Sequence, residues 1–291
     1  MNERILLVGK GFLGTHIVLE LQKKGVNIIA THHIHQNNSI SLDITNSNQV
    51  KNLFEKQNPT HVINCAALGD VDFLQENKNI ANKVNAIGAK NIAIACKKNK
   101  ARLIHISTDA VFDGKKGNYV EKDLTNPVNV YGESKLQGEK EIRENTDDYV
   151  ICRTNFFGID PNGKNFFNWI LNAIKEDKKI NGFTDIVFSP LDTKTLSIMI
   201  VELLHNDYTG ILHLAGDPIS KFDFIQKVVK FLKKDTRKII PMSVDDSILK
   251  APRPKNTSLS NNFTKKILKS HSSNIDQWLK NNQDEIMQLI K

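Results

Sequence analysis

The sequence has few cysteines and lacks any long apolar run. Its 291 residues include only Cys65, Cys96 and Cys152, an odd number, and each lies in an apolar stretch. A disulfide framework is therefore not expected, and buried, reduced thiols in a cytoplasmic protein are the simplest interpretation. No apolar run approaches membrane-spanning length, and the first four residues lead directly into a predicted strand. We therefore expect no membrane partner and no targeting segment.

Clustered charge, internal repeats and flexible linkers are also missing. Lysine and arginine outnumber aspartate and glutamate by 40 to 32. The lysines are spread along the chain and are not grouped with aromatic residues, so no nucleic-acid partner is expected. The positive balance is more consistent with an anionic small molecule.

Strand-like and helix-like segments alternate along most of the chain. Predicted strands cover residues 4–9, 26–31, 61–67, 101–108, 149–154 and 210–216, and predicted helices cover 12–24, about 71–98, a segment from about 130, 193–205 and 221–234, the last capped by Ser220. Such alternation predicts an α/β fold, a Rossmann-type doubly wound parallel sheet with helices on both faces. The chain is longer than a six-stranded sheet of this kind needs, which predicts a second, smaller lobe.

The first strand-to-helix turn is rich in glycine. Gly9, Gly11 and Gly14 fit the pattern G-x-G-x-x-G, with Phe12 and Leu13 between the last two. In a dinucleotide site the first glycine allows the tight turn, the second lets the backbone approach the pyrophosphate, and the third lets helix and strand pack closely. The helix N-terminus then faces the phosphates. An ordinary glycine turn has the same letters, but the position in the chain favours a dinucleotide.

The second predicted strand has no acidic residue near its end. NAD-binding folds often have one there for the ribose hydroxyl, but the first acid in this chain is Asp43. Thr31 and His32 could instead hydrogen-bond a 2′-phosphate, which favours NADPH and leaves NADH open, since no arginine is present. His32, His33 and His35 have no cysteine or acidic partner at ligand spacing, so a solvated loop is favoured and no metal is predicted.

Thr108, Tyr131 and Lys135 carry the predicted chemistry. Thr108 ends a predicted strand at the carboxyl edge, where open α/β sheets bind ligands, and Tyr131 and Lys135 share one face of a helix. Tyr131 would protonate a carbonyl oxygen as hydride arrives, and Thr108 would hydrogen-bond that oxygen. Lys135 would lower the pKa of the phenol and hold the nicotinamide ribose.

At these residues the sequence resembles the extended short-chain dehydrogenase/reductase family, and within it the dTDP-4-dehydrorhamnose reductase branch. The segments that carry the resemblance are 61–67, 84–88, 105–114, 127–132, 153–154, 163–166, 213–216 and 251–254. They cover most of the chain and are specific when taken together.

The resemblance implies further site residues. The implied cofactor-binding residues are Asp43 and Ile44 beside the adenine, Cys65, Ala66 and Ala67 in the cofactor cleft, and Tyr131 and Lys135. Asn85 would brace the active site. The implied substrate residues are Asp109, Asn165 and Arg253, the arginine being suited to a nucleotide diphosphate. A homodimer is compatible with the resemblance, but the sequence leaves the oligomeric state open.

The predicted domains follow from these assignments. Residues 1–155, with returning segments at about 186–216, would form the NAD(P)-binding Rossmann domain. Residues 156–185 and 217–291 would form the substrate-binding lobe.

The sequence also departs from the branch. Its glycine turn is one residue tighter, Leu68 and Ala110 stand where the branch usually has tyrosine, and Phe156 stands where it has tryptophan. Those positions look toward the sugar in the family, so the substrate need not be the same. Ala110 after Thr108 and Asp109 also disfavours a sugar 4,6-dehydratase, which would have glutamate there.

Two functions follow from this sequence. The favoured one is NADPH-dependent reduction of a 4-keto group on a nucleotide-activated deoxysugar, as in dTDP-L-rhamnose synthesis. The alternative is a non-catalytic NADP-binding regulatory subunit similar to that of methionine adenosyltransferase. The presence of Thr108, Tyr131 and Lys135 favours the enzyme, and a nucleic-acid binder is the least favoured.

Overall fold

The computed structural model describes residues 3–33, 40–270 and 274–291. Its strands are β1 (Ile5–Val8), β2 (Ile28–His32), β3 (Ile40–Ser41), β4 (His61–Asn64), β5 (Arg102–Thr108), β6 (Tyr149–Thr154), β7 (Phe156–Phe157), β8 (Ile180–Phe183), β9 (Val187–Phe188), β10 (Leu191–Asp192), β11 (Gly210–Leu214), β12 (Ile219–Ser220) and β13 (Ile239–Met242). Its α-helices are α1 (Phe12–Lys23), α2 (Ser47–Gln57), α3 (Val71–Glu76), α4 (Lys78–Ala81), α5 (Gly88–Asn99), α6 (Val130–Asn145), α7 (Phe166–Lys175), α8 (Thr193–Leu203), α9 (Lys221–Phe231), α10 (Thr264–Ile267), α11 (Ile275–Asn281) and α12 (Gln283–Leu289).

Seven parallel strands form the main sheet, in the order β3-β2-β1-β4-β5-β6-β11. The order reverses between β1 and β4, and ligands of such sheets bind in the crevice outside the carboxyl ends of the strands at this point. The predicted Rossmann-type α/β fold is confirmed, with one strand more than the six expected.

The side chains of β1 show why this strand is an uninterrupted apolar run. Ile5 and Leu7 pack in one core with α1 and α8, whereas Leu6 and Val8 pack in the core on the opposite face, with α2 and α5. Because helices cover both faces, every position of the strand is buried and no alternation with polar residues is needed.

A third apolar core lies in the second lobe. Phe157, Phe167, Phe224 and Trp278 meet there, with ring centroids 4.9 to 6.5 Å apart in the paired contacts. Aromatic rings in edge-to-face contact stabilise such a core beyond the area they bury. Phe188 belongs to the same core and β9 pairs with β12, so this start of the predicted returning segment packs with the lobe.

The prediction of one long helix over residues 71–98 was wrong. The structure has α3, α4, a π-helical segment (Asn82–Ile87) and α5 instead. Asn77 leaves the helical conformation, with φ −127° and ψ 55°, and its side-chain amide donates a 2.8 Å hydrogen bond to the Phe73 carbonyl, which closes α3. Asp70 caps α3, since its carboxylate accepts a hydrogen bond from the Phe73 N–H.

The predicted cap of the helix after Ser220 was confirmed. Ser220 caps α9 by accepting a 2.9 Å hydrogen bond from the Asp223 N–H, although the helix ends at Phe231. The three cysteines are free thiols, with Cys96 and Cys152 buried and Cys65 partly exposed. No helix in the described ranges is long and apolar enough to cross a membrane.

Candidate active site

A cavity of about 640 Å³ opens at the carboxyl ends of the sheet strands, between the sheet and the second lobe. The predicted residues that line it are Gly9, Gly11, Phe12, Leu13, Gly14, Cys65, Ala67, Thr108, Asp109, Tyr131, Lys135 and Arg253. We call it the reaction cavity. It brings the three predicted catalytic residues together with the glycine turn.

A second cavity of about 490 Å³, the adenosine cavity, lies on the other side of the same turn. The predicted residues that line it are Gly9, Gly11, Thr31, His32, Asp43, Ile44, Cys65, Ala66 and Ala67. Both cavities share Gly9, Gly11, Cys65 and Ala67, so the turn lies between two adjoining compartments. An elongated molecule with a phosphate linkage at its middle fits this arrangement.

Each glycine of the turn meets a different environment. Gly9 has φ +88°, and a Cβ there would lie 2.7 Å from the Ala66 backbone. A Cβ at Gly14 would lie 2.5 Å from the Gly9 carbonyl oxygen. A Cβ at Gly11 would meet no protein atom within 4 Å, so Gly11 leaves open space where a ligand backbone can approach.

Lys10, in the glycine turn, presents positive charge to the adenosine cavity beside the end of β2. Lys10 and His32 both line it, and the Lys10 charge helps burial to lower the pKa of His32. Thr31 is buried, and its hydroxyl accepts a 3.3 Å hydrogen bond from the Gly9 N–H, so it supports the turn rather than facing a phosphate. Lys10 is a basic residue that the sequence reasoning missed, although it lies inside the glycine motif.

Thr108 and Tyr131 both line the reaction cavity, and the Thr108 hydroxyl is close enough to the Tyr131 phenol to lower its pKa. The Thr108 hydroxyl also donates to the Asp109 carboxylate at 3.1 Å and accepts from the Ala110 N–H at 3.2 Å. Thr108 is the last residue of β5 and Tyr131 the second of α6, so two rigid elements hold the pair. A hydroxyl and a phenol in this contact can both face one substrate oxygen.

Burial raises the pKa of Tyr131 to about 12, against a smaller lowering by Thr108, and the Asp109 charge also raises it. The net shift in this structure is thus upward, with burial as its main cause. At neutral pH Tyr131 carries its proton, which is the form that a proton donor needs.

Lys135 is buried, with 2% of its surface exposed. Its ammonium donates a 2.7 Å hydrogen bond to the Ile106 carbonyl and lies 3.4 Å from His105 Nε2. Burial lowers the pKa of Lys135 to about 8, and the Glu139 charge opposes that change. The ammonium is thus charged at neutral pH but close to titration.

Asn85 connects the π-helical segment to the site. Its amide donates to the Leu68 carbonyl and the Ser134 hydroxyl, both at 3.0 Å, and accepts from the Leu68 N–H at 2.9 Å. A π-helical turn inside a helix often occurs at functional sites. Here it brings Asn85 between the cofactor-side loop and α6.

The predicted substrate residues differ in their surroundings. Asp109 is buried and accepts hydrogen bonds from Thr108, Asn155 and Thr257. Arg253 lines the reaction cavity, where it pairs with Asp72 at 3.0 Å and donates to the Ala251 carbonyl.

Asn165 is not among the residues that line either cavity. Its side chain accepts from the Asn168 N–H and donates to the Gly158 carbonyl, which makes it the N-cap of α7. Its amide is thus occupied within the protein rather than turned to a substrate.

The three positions at which the sequence departs from the family pattern line different cavities. Ala110 and Phe156 line the reaction cavity, whereas Leu68 lines the adenosine cavity and packs against the cluster of Leu74, Ala81 and Val130. Leu68 is therefore not among the residues that line the reaction cavity.

The reaction cavity contains residues that the sequence reasoning missed, among them Thr154, Asn155 and Lys221. Thr154 ends β6 in register with Thr108, so its place at the strand edge could have indicated it. Its buried hydroxyl has no hydrogen-bond partner in the described protein.

Within the described ranges, no three His, Cys, Asp or Glu side chains are grouped as metal ligands. His35, one of the three histidines considered above, lies outside the described residues.

The chain is similar to several known proteins and matches one family model. A family model described as the RmlD substrate binding domain matches residues 3–288. A dTDP-4-dehydrorhamnose reductase of Mycolicibacterium smegmatis is 32% identical over 265 residues, covering 89% of this chain and 79% of that protein. A probable low-salt glycan biosynthesis reductase of Haloferax volcanii is 30% identical and covers 86% of each chain. The solved structure of a dTDP-4-dehydrorhamnose reductase from Bacillus anthracis in complex with NADP has a TM-score of 0.89, 30% identity, and coverage of 98% of this chain and 100% of that one.

Proposed function

The chain belongs to the RmlD substrate-binding-domain family, and we propose that it is an NADPH-dependent reductase of the 4-keto group of a dTDP-activated deoxysugar. dTDP-4-dehydrorhamnose is the first candidate substrate, because the relative from Mycolicibacterium smegmatis is named for it. The observation that carries the proposal is the adjacent pair of Thr108 and Tyr131 in a cavity that adjoins the glycine turn.

The residues present fit a dinucleotide. The open space at Gly11 would accept the pyrophosphate, and the adenosine cavity would hold the adenosine half. Lys10 and His32 would bind a 2′-phosphate, which favours NADPH while NADH stays usable. When bound, the reduced cofactor supplies a hydride.

The side chains of this site handle the proton. Tyr131, protonated at neutral pH, donates its proton to the sugar oxygen that was the carbonyl. Thr108 hydrogen-bonds the same oxygen and holds it beside the phenol. Lys135, fixed by the Ile106 carbonyl, supplies positive charge that favours the phenolate left behind and would hold the nicotinamide ribose.

Asp109 orders the substrate side of the cavity. Its three hydrogen bonds fix Thr257 and Asn155 around it, so the carboxylate supports the wall that a sugar would contact. Ala110 and Phe156 shape the same wall. With a small and an apolar residue there, we propose that the sugar is held by shape as well as by hydrogen bonds.

Further parts of the proposal concern the whole protein. Residues 1–155 with about 186–216 would serve as the cofactor domain, and residues 156–185 and 217–291 as the substrate lobe. The substrate is a nucleotide sugar, without a nucleic-acid partner. A cytoplasmic location and a homodimer are proposed as compatible with this role.

The test is oxidation of NADPH, and separately of NADH, by the purified protein with dTDP-4-dehydrorhamnose, followed by the absorbance of the reduced nicotinamide. We expect turnover with preference for NADPH. Tyr131→Phe should lower kcat by about 100- to 10,000-fold, because it removes the proton donor. The dissociation constant for NADPH should stay unchanged.

Tyr149→Phe is the matched control, since Tyr149 lines neither cavity. This variant also removes one phenolic hydroxyl, and it should leave kcat unchanged. Full activity of Tyr131→Phe would contradict the assignment of the proton donor. Tight NADPH binding without turnover on this or related keto sugars would instead favour the regulatory-subunit alternative.

A further inference from the structure

Three cations line the described part of the reaction cavity: Lys135, Lys221 and Arg253. Lys135 donates to the Ile106 carbonyl, and Arg253 is paired with Asp72 and bonded to the Ala251 carbonyl. Lys221 differs from both, because its ammonium has no hydrogen bond and no ion pair with any described residue.

Two aromatic rings hold the Lys221 ammonium in place. Its Nζ lies 3.5 Å from the centroid of the Phe188 ring and 4.1 Å from that of Phe166. Such cation–π contacts attract the ammonium electrostatically, yet they supply no oxygen acceptor for its N–H groups. The side chain is therefore fixed in position while its donors stay available to a ligand in the cavity.

The position of Lys221 is unfavourable for a cation in the absence of a ligand. Burial lowers the pKa of Lys221 to about 7, and the Asp109 charge only partly opposes this. Lys221 is also the first residue of α9, where the helix dipole disfavours positive charge. A bound anion would offset both costs, since it would provide the missing counter-charge and the missing acceptor.

We propose that Lys221 is the residue that binds the diphosphate of the nucleotide-sugar substrate. The inference rests on the proposed function, because the diphosphate is the only anionic group of a nucleotide-activated deoxysugar. Arg253, which the sequence favoured for this role, is already neutralised by Asp72. Phe166 and Phe188 would keep the ammonium oriented while the substrate enters and leaves.

The experiment measures binding by calorimetry and does not depend on turnover. The probes are dTDP-glucose, which has the diphosphate but no keto group, and thymidine, which has neither. We expect Lys221→Met to weaken dTDP-glucose binding by about 10- to 100-fold and to leave thymidine binding unchanged. Lys221→Arg, which keeps the charge, should recover part of the affinity.

Lys227→Met is the matched control. Lys227 lies on the same helix, where its ammonium pairs with Asp276 on the surface, so this variant makes the same change of charge outside the cavity. It should bind dTDP-glucose as the unchanged protein does. Unaltered NADPH binding by Lys221→Met would show that the variant is folded.

Three results would overturn the proposal: unchanged dTDP-glucose binding by Lys221→Met, an equal loss for dTDP-glucose and thymidine, or no binding of dTDP-glucose to the unchanged protein. The result also separates the two proposals. A loss specific to dTDP-glucose in a protein that fails to reduce dTDP-4-dehydrorhamnose would retain the diphosphate site and reject the reductase. Turnover of dTDP-4-dehydrorhamnose together with unchanged dTDP-glucose binding by Lys221→Met would retain the reductase and reject the diphosphate site.

Discussion

Lys135 and Tyr131 lie four residues apart on α6, and burial favours the neutral form of each, because it lowers the pKa of the lysine and raises that of the tyrosine. The phenol keeps its proton up to about pH 12, whereas the ammonium begins to lose its charge near pH 8. The lysine, rather than the tyrosine, therefore sets the alkaline limit of the proposed reaction.

We expect kcat for the keto sugar to fall as the pH rises through about 8. The lowered pKa means that Lys135 is charged below this range and neutral above it, and only the charged form favours the phenolate left by proton donation. The measurement is the pH profile of kcat at saturating NADPH and keto sugar, so that titration of Lys221 before the sugar binds does not contribute.

Lys221→Met is the control for this profile, because Lys221 also has a lowered pKa. The fall near pH 8 should persist in that variant. A profile that stays flat well above this pH would show that the charge of Lys135 is not needed.

Individual residues differ in how well the sequence predicted them. Thr108, Tyr131 and Lys135 could be located because strand ends and helix faces fix their positions. The direction of the Tyr131 pKa shift could not, since it depends on how completely packing removes water. The capping role of Asn165 was missed because no helix was predicted at the position of α7, which this residue caps.

Among the elements, the long parallel strands were predictable and the short ones were not. β1 is an apolar run that a sheet covered on both faces explains, and β5 and β6 are rich in β-branched residues, which favour strands. β7, β9, β10 and β12 have two residues each, too few for any periodic pattern, and their pairing is decided by the packing of the second lobe. The break at Asn77 was missed because the apolar positions continue across it.

In the turn between β1 and α1, two similar substitutions should have different effects, one on stability and the other on NADPH binding. Gly14→Ala should destabilise the fold by roughly 1 to 3 kcal/mol, because its Cβ would lie 2.5 Å from the Gly9 carbonyl oxygen and the turn must shift. Gly11→Ala should leave the free energy of unfolding nearly unchanged and weaken NADPH binding, because its methyl group would occupy open space.

Urea unfolding and NADPH titration of the two variants provide the measurements. Each variant is the control for the other, since both add one methyl group to the same turn. Equal losses of stability, or unchanged NADPH binding by Gly11→Ala, would contradict the geometry of the turn.

Across the molecule, the segment from Leu249 to Thr257 connects the second lobe to the sheet domain beside the reaction cavity. The Asp72 carboxylate on α3 accepts a 2.9 Å hydrogen bond from the Ala251 N–H and pairs with Arg253. The Asn129 amide donates to the Pro252 carbonyl at 2.9 Å. These contacts hold the cavity wall against the sheet domain.

We expect Asp72→Ala to increase amide hydrogen exchange in this segment by about tenfold or more, because a charged acceptor of a backbone N–H is lost. Glu76→Ala is the control, since its ion pair with Lys250 is exposed on both sides and surface pairs contribute little. Equal exchange in the two variants would show that Asp72 does not hold the segment.

The late position of β11 in the chain affects synthesis of the protein. β11 pairs with β6, which precedes it by more than fifty residues, so a nascent chain on the ribosome has an open edge at β6 until Gly210–Leu214 has emerged. An unpaired edge is a template for wrong pairing with other chains. During translation, this interval is where chaperone binding would protect the growing sheet from aggregation.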